Sequence, residues 1–252
     1  MILSFNIEYR TNWGEEVKLA GLSTESTPMY TTDGIYWTAE VELEVPQEGL
    51  TIHYSYQIEQ NGIVIRKEWN NFPRCLFLSG TPRKKYRIND CWKNIPEQLY
   101  LYSSAFTEAL LSHPERVDIP QGYKKGLIIK AYAPRINKDY CLAICGNQKA
   151  LGNWDPEKAV LMSDFNFPEW QVELDASKLK YPLEYKFILC HKQERKIDCW
   201  EKNPNRYLAD PEIKTNETLV ISDRYVYFDI PMWKGAGIAI PVFSLKSEKS
   251  FG

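Results

Sequence analysis

One pattern of residues occurs twice along the chain, and this repeat constrains the fold more than any other feature. Tyr54 precedes Trp69 by 15 residues, and Tyr185 precedes Trp200 by the same distance. Upstream of each pair an apolar run ends in glycine, EEVKLAGL in the first copy and YCLAICGN in the second. A repeat of this length indicates one structural unit built twice. The sequence therefore predicts two units of roughly 100 residues each.

Within each copy, the apolar residues follow the period of a β-strand. In segment 183–189, LEYKFIL, apolar and polar residues alternate, as they do in TAEVELEV at 38–45. Period-two alternation is typical of a half-buried strand, and Gly, Pro, Asn and Asp separate the runs as they do in turns. The pattern predicts an all-β chain of two immunoglobulin-like antiparallel β-sandwiches.

The repeat also predicts a division of the chain. We assign residues 1–90 to a first sandwich, 91–123 to a linker and 124–231 to a second sandwich. Helical spacing of the apolar residues in YSSAFTEALLSH predicts a short helix at 102–113, within the linker.

The final residues follow a different pattern. Residues 237–245 form a nearly continuous apolar run, which is typical of a buried strand. Such a strand needs further chain to cover it, so we expect 232–252 to begin a further domain that the chain truncates.

Charge and hydropathy exclude several classes of partner. The 31 Lys and Arg residues nearly balance the 33 Asp and Glu residues, so the chain lacks the basic footprint of a nucleic-acid-binding protein. No apolar stretch approaches the roughly 18 residues of a membrane span. The N-terminus does not resemble a secretory signal, and we therefore expect a cytoplasmic protein.

Metal and catalytic motifs are absent from the sequence. The six cysteines form no CxxC pair and have no histidine at zinc-ligand spacing, so we predict buried, inert thiols and neither a metal nor a cofactor. The three histidines lack convincing partners, and no GxGxxG or P-loop is present. We assign no catalytic residue.

Two tryptophans stand where tryptophan is unusual. Trp154 lies in the turn-like segment LGNWDP, and Trp200 begins WEKNPNR. A tryptophan in a polar turn buries little of its area unless something flat and partly apolar, such as a pyranose ring, stacks on it. Lys186, Glu201 and Asn205 are side chains of the types that bind sugar hydroxyls. Two rings at an angle fit a curved chain of α-linked glucose better than a flat chain.

A different class of function is open at this point. The Trp pair would then be buried in an interface between domains, and the sandwiches would serve as a structural spacer or as a homodimerisation surface without affinity for sugar.

Four motifs occur in the order found in a known family. LGNWDP, the tryptophan of PEW, EYKF and WEKNPNR resemble the family 20 carbohydrate-binding module, the starch-binding domain, over about 124–230. The resemblance implies a starch or maltooligosaccharide partner bound by Trp154 and Trp200 with Lys186, Glu201 and Asn205. It implies a core position for Trp170. The second site of the family uses a tyrosine where this chain has an alanine at 143.

The first copy resembles the same family more weakly. It keeps Trp69, but by spacing it has Ser55 in place of Lys186 and Asn70 in place of Glu201. This copy either is mainly structural or holds a weaker sugar site, formed by Trp69 with Tyr30 or with Trp13.

The final segment, GAGIAIPVFSLKSEKSFG, resembles the opening of the family 77 glycoside hydrolase domain, the 4-alpha-glucanotransferases. That resemblance implies a retaining mechanism with two carboxylates, which would lie outside this chain. The sequence as a whole predicts the glucan-binding region of a 4-alpha-glucanotransferase.

Overall fold

The computed structural model describes residues 1–69, 73–81, 84–94, 122–133, 136, 139–194, 196–223, 226 and 228. Nearly all of the regular structure is β, which confirms the predicted all-β class. The first sandwich contains β1 (Ile2–Glu8), β2 (Glu15–Ala20), β3 (Thr27–Pro28), β4 (Tyr36–Glu42), β5 (Leu50–Gln60), β6 (Ile63–Lys67), β7 (Arg74–Leu78) and β8 (Lys85–Cys91). The second contains β9 (Lys125–Tyr132), β10 (Tyr140–Gly146), β11 (Val160–Leu161), β12 (Ser163–Asn166), β13 (Glu169–Asp175), β14 (Leu183–His191), β15 (Ile197–Trp200), β16 (Arg206–Leu208) and β17 (Glu217–Ser222).

Each sandwich has an outer sheet of its own. In the first sandwich the outer sheet runs β3-β2-β5-β6, with β7 also paired to β5. In the second it runs β11-β10-β14-β15, with β16 also paired to β14. The β-strand period explains the packing, because alternate residues of β14 such as Tyr185 and Phe187 are buried in the core while Glu184 and Lys186 are only half-buried. Trp170 is fully buried, as predicted.

The inner faces of both sandwiches belong to one seven-stranded sheet, which we call the shared sheet. Its strand order is β12-β13-β9-β17-β8-β1-β4. The last described strand, β17, pairs in parallel with β9 on one side and with β8 on the other. Val220 thereby lies between Ile128 and Ile88 in the ladder.

Packing on both faces of the shared sheet distinguishes its central strands. Leu127 and Ile129 of β9 belong to the second core, whereas Ile128, between them in sequence, belongs to the first. Val220 of β17 likewise packs in the first core while Leu219 packs in the second. A strand covered on both faces has a continuous apolar sequence, as in the segment GLII of β9. The sandwiches are therefore joined through a hydrogen-bonded ladder, whereas the sequence predicted only a linker with a helix.

Hydrogen bonds from polar side chains reinforce the junction between the two sandwiches. Lys130 of β9 binds the carboxylate of Glu169 at 2.9 Å and donates a second hydrogen bond to the main-chain carbonyl of Cys75 in the first sandwich. Ser222 of β17 donates to Asp90 of β8 at 2.7 Å. These contacts tie the units together with specific geometry as well as with apolar burial.

A second lysine lies at this junction, in surroundings that disfavour its charged form. Lys93 is 9% exposed and lies 4.8 Å from the ring centroid of Tyr132. Burial, together with the positive charge of Arg74, lowers the pKa of Lys93 to about 8.

Two sequence predictions lie outside the described residues. These are the linker helix at 102–113 and the strand at 237–245, together with the rest of the segment 232–252. The described helices are short 3-10 segments, and none of them is long and apolar enough to cross a bilayer.

Candidate functional site

Trp154 and Trp200 come together on the outer sheet of the second sandwich. Their ring centroids are 6.2 Å apart and the ring planes are inclined by 45°. Both residues are half-buried, so part of each ring is accessible. We call this pair the tryptophan platform.

The loop that follows β10 presents Trp154 through an unusual backbone. Gly152, Asn153 and Trp154 all have positive φ, at +83°, +53° and +61°. At Gly152 a Cβ atom would lie 2.9 Å from the carbonyl oxygen of Lys158. A side chain at this position is therefore disfavoured both by that close contact and by the positive φ. A tryptophan in the left-handed region is disfavoured by its Cβ, and the surrounding loop has to hold it there.

Gln148 anchors this loop to the neighbouring turn. Its main-chain carbonyl accepts from the N–H groups of Leu151 and Asn153, at 2.8 and 3.0 Å. Its side-chain amide makes two bonds to the backbone of Lys180, one accepted at 2.8 Å and one donated at 2.9 Å. The backbone and the side chain of Gln148 thus both restrict the position of Trp154, a role that no motif in the sequence indicated.

Strand register places Trp200 and Lys186 on one face. Trp200 of β15 is directly opposite Ile188 of β14, and Lys186 lies two residues before Ile188 on the same face. Lys186 is half-buried, and its Nζ donates to the main-chain carbonyl of Glu201 at 3.4 Å. The ammonium group therefore lies beside the turn that carries the platform.

Glu201 points inward, away from solvent. It is 2% exposed, and its carboxylate accepts the N–H of Phe187 at 2.8 Å. Arg206 donates to both carboxylate oxygens, at 2.8 Å from Nη2 and 3.1 Å from Nε. A buried carboxylate bound on both oxygens by a partly buried arginine is a structural anchor for the turn 201–206. Asn205, in the same turn, is exposed.

Arg206 and its second carboxylate partner were missed by sequence reasoning. Arg206 Nη1 lies 3.5 Å from Asp223, which also accepts from the hydroxyl of Tyr185 at 2.7 Å. Burial raises the pKa of Asp223, and the charge of Arg206 offsets only part of that effect. The final arginine of WEKNPNR was a visible signal for a partner of Glu201, but no local pattern indicated Asp223.

The first sandwich contains an equivalent anchor, but its carboxylate lies at a different residue from the one that the spacing predicted. Arg74 binds Glu68 at 2.7 Å and Asp90 at 3.0 Å, and Asp90 accepts from Tyr54. Glu68 also accepts the N–H of Tyr56, as Glu201 accepts that of Phe187. Glu68 is therefore the counterpart of Glu201, and the spacing-based equivalence with Asn70 is wrong.

This correction moves Trp69 out of the platform position. Lys67 of β6 is opposite Gln57 of β5, which is the ladder position that Trp200 has opposite Ile188. Trp69 follows the anchor carboxylate by one residue instead of preceding it, because the hairpin from Gln57 to Lys67 is two residues shorter than the hairpin from Ile188 to Trp200.

Tyr30, the other residue predicted for this site, is 70% exposed, and its backbone bridges Thr38 of the shared sheet. Trp69 instead follows β6 of the outer sheet. The structure thus places the two residues beside different sheets. A sugar site at Trp69 and Tyr30 stays a prediction.

The comparisons with known proteins support the class of domain that this geometry suggests. Residues 129–220, which carry the tryptophan platform and its anchor, match the sequence model of the family described as the starch binding domain. The second sandwich is thus the part of the chain that is similar to the starch binding domain, in agreement with the resemblance of its four motifs.

One relative matches nearly the whole chain. The protein named 4-alpha-glucanotransferase DPE2, from Oryza sativa subsp. japonica, is 23% identical over 276 residues. The match covers 99% of this chain but 28% of the relative, so the chain spans less than a third of that protein's length.

Solved structures with starch-related names also align with parts of the chain. A family 15 glucoamylase from Hypocrea jecorina matches with a TM-score of 0.35 and 21% identity, covering 45% of this chain and 19% of that one. The family 20 module of a maltotetraose-forming amylase from Pseudomonas saccharophila STB07 matches with a TM-score of 0.32 and 17% identity, covering 39% and 99%.

Proposed function

We propose that the chain binds α-1,4-linked glucan, as starch or maltooligosaccharide, at the tryptophan platform. The observation that carries the proposal is the pair of half-exposed rings 6.2 Å apart and inclined by 45°. A flat partner would contact one ring of such a pair, whereas a curved glucan can stack successive sugar rings on both.

Polar groups beside the platform suit the edges of the sugar rings. Lys186 carries an ammonium donor next to the platform, and exposed Asn205 offers an amide donor and acceptor in the adjoining turn. Glu201 contributes by fixing that turn, since its carboxylate is occupied by Arg206 and Phe187.

The affinity of one such platform is modest. Aromatic contacts contribute about 0.5–1.5 kcal/mol beyond area burial and hydrogen bonds about 0.5–1.5 kcal/mol each, which corresponds to dissociation constants of roughly tens of micromolar to millimolar. Weak binding is useful when it raises the local concentration of glucan near a tethered enzyme.

That role is the one we propose for the whole protein. Similarity to a relative named 4-alpha-glucanotransferase supports a chain that holds glucan for a glucan-transferring catalytic domain. A cytoplasmic location and a homodimer stay predictions from the sequence.

Electrophoresis in a native gel that contains amylose tests the proposal. We expect the wild-type protein to be retarded, and Trp154→Ala or Trp200→Ala to migrate as in a gel without amylose. Tyr36→Ala removes a ring that is 63% exposed on the first sandwich and serves as control. Unchanged retardation of both tryptophan variants would contradict the site. A wild-type protein that is not retarded would favour the structural or dimerisation role.

A further inference from the structure

A third aromatic ring lies on the face that carries the platform. Tyr207 of β16 is directly opposite Glu184 of β14, and Trp200 is directly opposite Ile188 of the same strand. Glu184, Lys186 and Ile188 alternate along β14 with the core-facing residues and so share the outer face, on which Ile188 is itself buried. Since paired residues in an antiparallel ladder point to the same side, Tyr207 and Trp200 both lie on that face.

The exposure of Tyr207 contrasts with that of its neighbours in sequence. Tyr207 is 63% exposed, whereas Arg206 and Leu208 are partly buried. The guanidinium of Arg206 lies 4.8 Å from the ring centroid of Phe187, on the core side of the sheet. An exposed ring is therefore held on a strand whose backbone is fixed by the buried anchor.

The structure gives a polar path between the two rings. Glu184 lies opposite Tyr207, Lys186 lies between the two ladder positions, and both are half-buried, so one acceptor group and one donor group line this surface. The two ladder positions are four residues apart on β14, which is about 13 Å along the strand. That distance exceeds the width of a single sugar ring.

We propose that Tyr207 is a third stacking ring for the glucan chain and that it makes the site selective for longer maltooligosaccharides. This inference rests on the proposed function of the platform. A glucan that stacks on Trp154 and Trp200 continues along β14 past Lys186 and Glu184, and its further sugar units reach Tyr207. Short oligosaccharides occupy the platform alone.

Calorimetric titration with maltotriose and with maltoheptaose tests the proposal. We expect Tyr207→Ala to lower the affinity for maltoheptaose about three- to tenfold and the affinity for maltotriose by less than about twofold. Tyr207→Phe should retain the wild-type affinity for both, because it keeps the stacking ring. Tyr36→Ala, which removes a ring of equal exposure at 63%, is the matched control and should leave both affinities unchanged.

Each other outcome has a separate meaning. If Tyr207→Ala binds maltoheptaose as the wild type does while Trp200→Ala binds neither sugar, the third ring is refuted and the platform stands. If Tyr207→Ala weakens both sugars equally, the tyrosine acts on the platform rather than on the longer chain, and the proposal fails. If the wild-type protein binds neither sugar, the proposed function fails and this inference with it.

Discussion

Glu201 offers the sharpest test of how the site is held, because its sequence context suggests a sugar ligand and its structure suggests an anchor. Glu201→Ala removes the acceptor for the N–H of Phe187 and for two N–H groups of Arg206. Arg206 keeps Asp223 at 3.5 Å as its remaining carboxylate. Breaking a buried ion pair by removing one partner typically costs about 3–5 kcal/mol, because a charge is left in the interior without its partner.

Urea unfolding followed by tryptophan fluorescence measures this cost. We expect the unfolding free energy of Glu201→Ala to fall by about 3–5 kcal/mol, and that of Glu201→Gln, which keeps an acceptor for Phe187, to fall by less. Glu194→Ala removes an exposed carboxylate and serves as the control.

The same variants distinguish an anchor from a ligand. A carboxylate that contacts sugar directly would give Glu201→Ala nearly wild-type stability and a selective loss of maltoheptaose affinity. A loss of stability below about 1 kcal/mol would refute the anchor, since a buried bidentate pair cannot be removed so cheaply.

Two further predictions concern the first sandwich and the junction. Trp69→Ala and Tyr30→Ala should each change glucan affinity by less than about twofold, because the equivalent ladder position holds a lysine; a larger loss in the amylose gel would establish the weaker site. For Lys93, burial and the charge of Arg74 lower the pKa to about 8 in the folded protein, against 10.5 for an ordinary lysine. Between these two pH values the unfolded chain binds more protons than the folded chain, so the unfolding free energy rises with pH. In urea unfolding we expect the unfolding free energy to rise by about 1.5 kcal/mol from pH 8 to pH 9.5. This rise should be lost in Lys93→Met and kept in Lys196→Met, the control at an exposed lysine. The same dependence of unfolding free energy on pH in all three proteins would contradict the prediction.

Local patterns in the sequence were sufficient for the strands and for the platform. Alternation in LEYKFIL reflects one buried face and one half-buried face of β14, which is why period two was visible there. The turn composition around Trp154 and Trp200 reflects real loops at strand ends, so their partial exposure followed from neighbouring residues alone.

The remaining features depend on contacts between distant residues. The parallel pairing of β17 with β8 joins Val220 to Ile88, and no local pattern specifies which strand lies beside which. The register of Glu68 was also hidden, because counting residues from Tyr54 to Trp69 takes no account of the hairpin between them, which is two residues shorter from Gln57 to Lys67 than from Ile188 to Trp200. Spacing therefore identified the repeat but misaligned the residues that hold it together.

The parallel ladder between β8 and β17 also determines whether either half of the protein can be produced alone. A chain cut between the two units would leave β8 with an unpaired edge and would expose Ile128 and Val220 of the second half, which the core of the first half now covers. Neither half is therefore expected to be stable and free of aggregation when synthesised alone. Heating should accordingly melt both halves in one calorimetric transition.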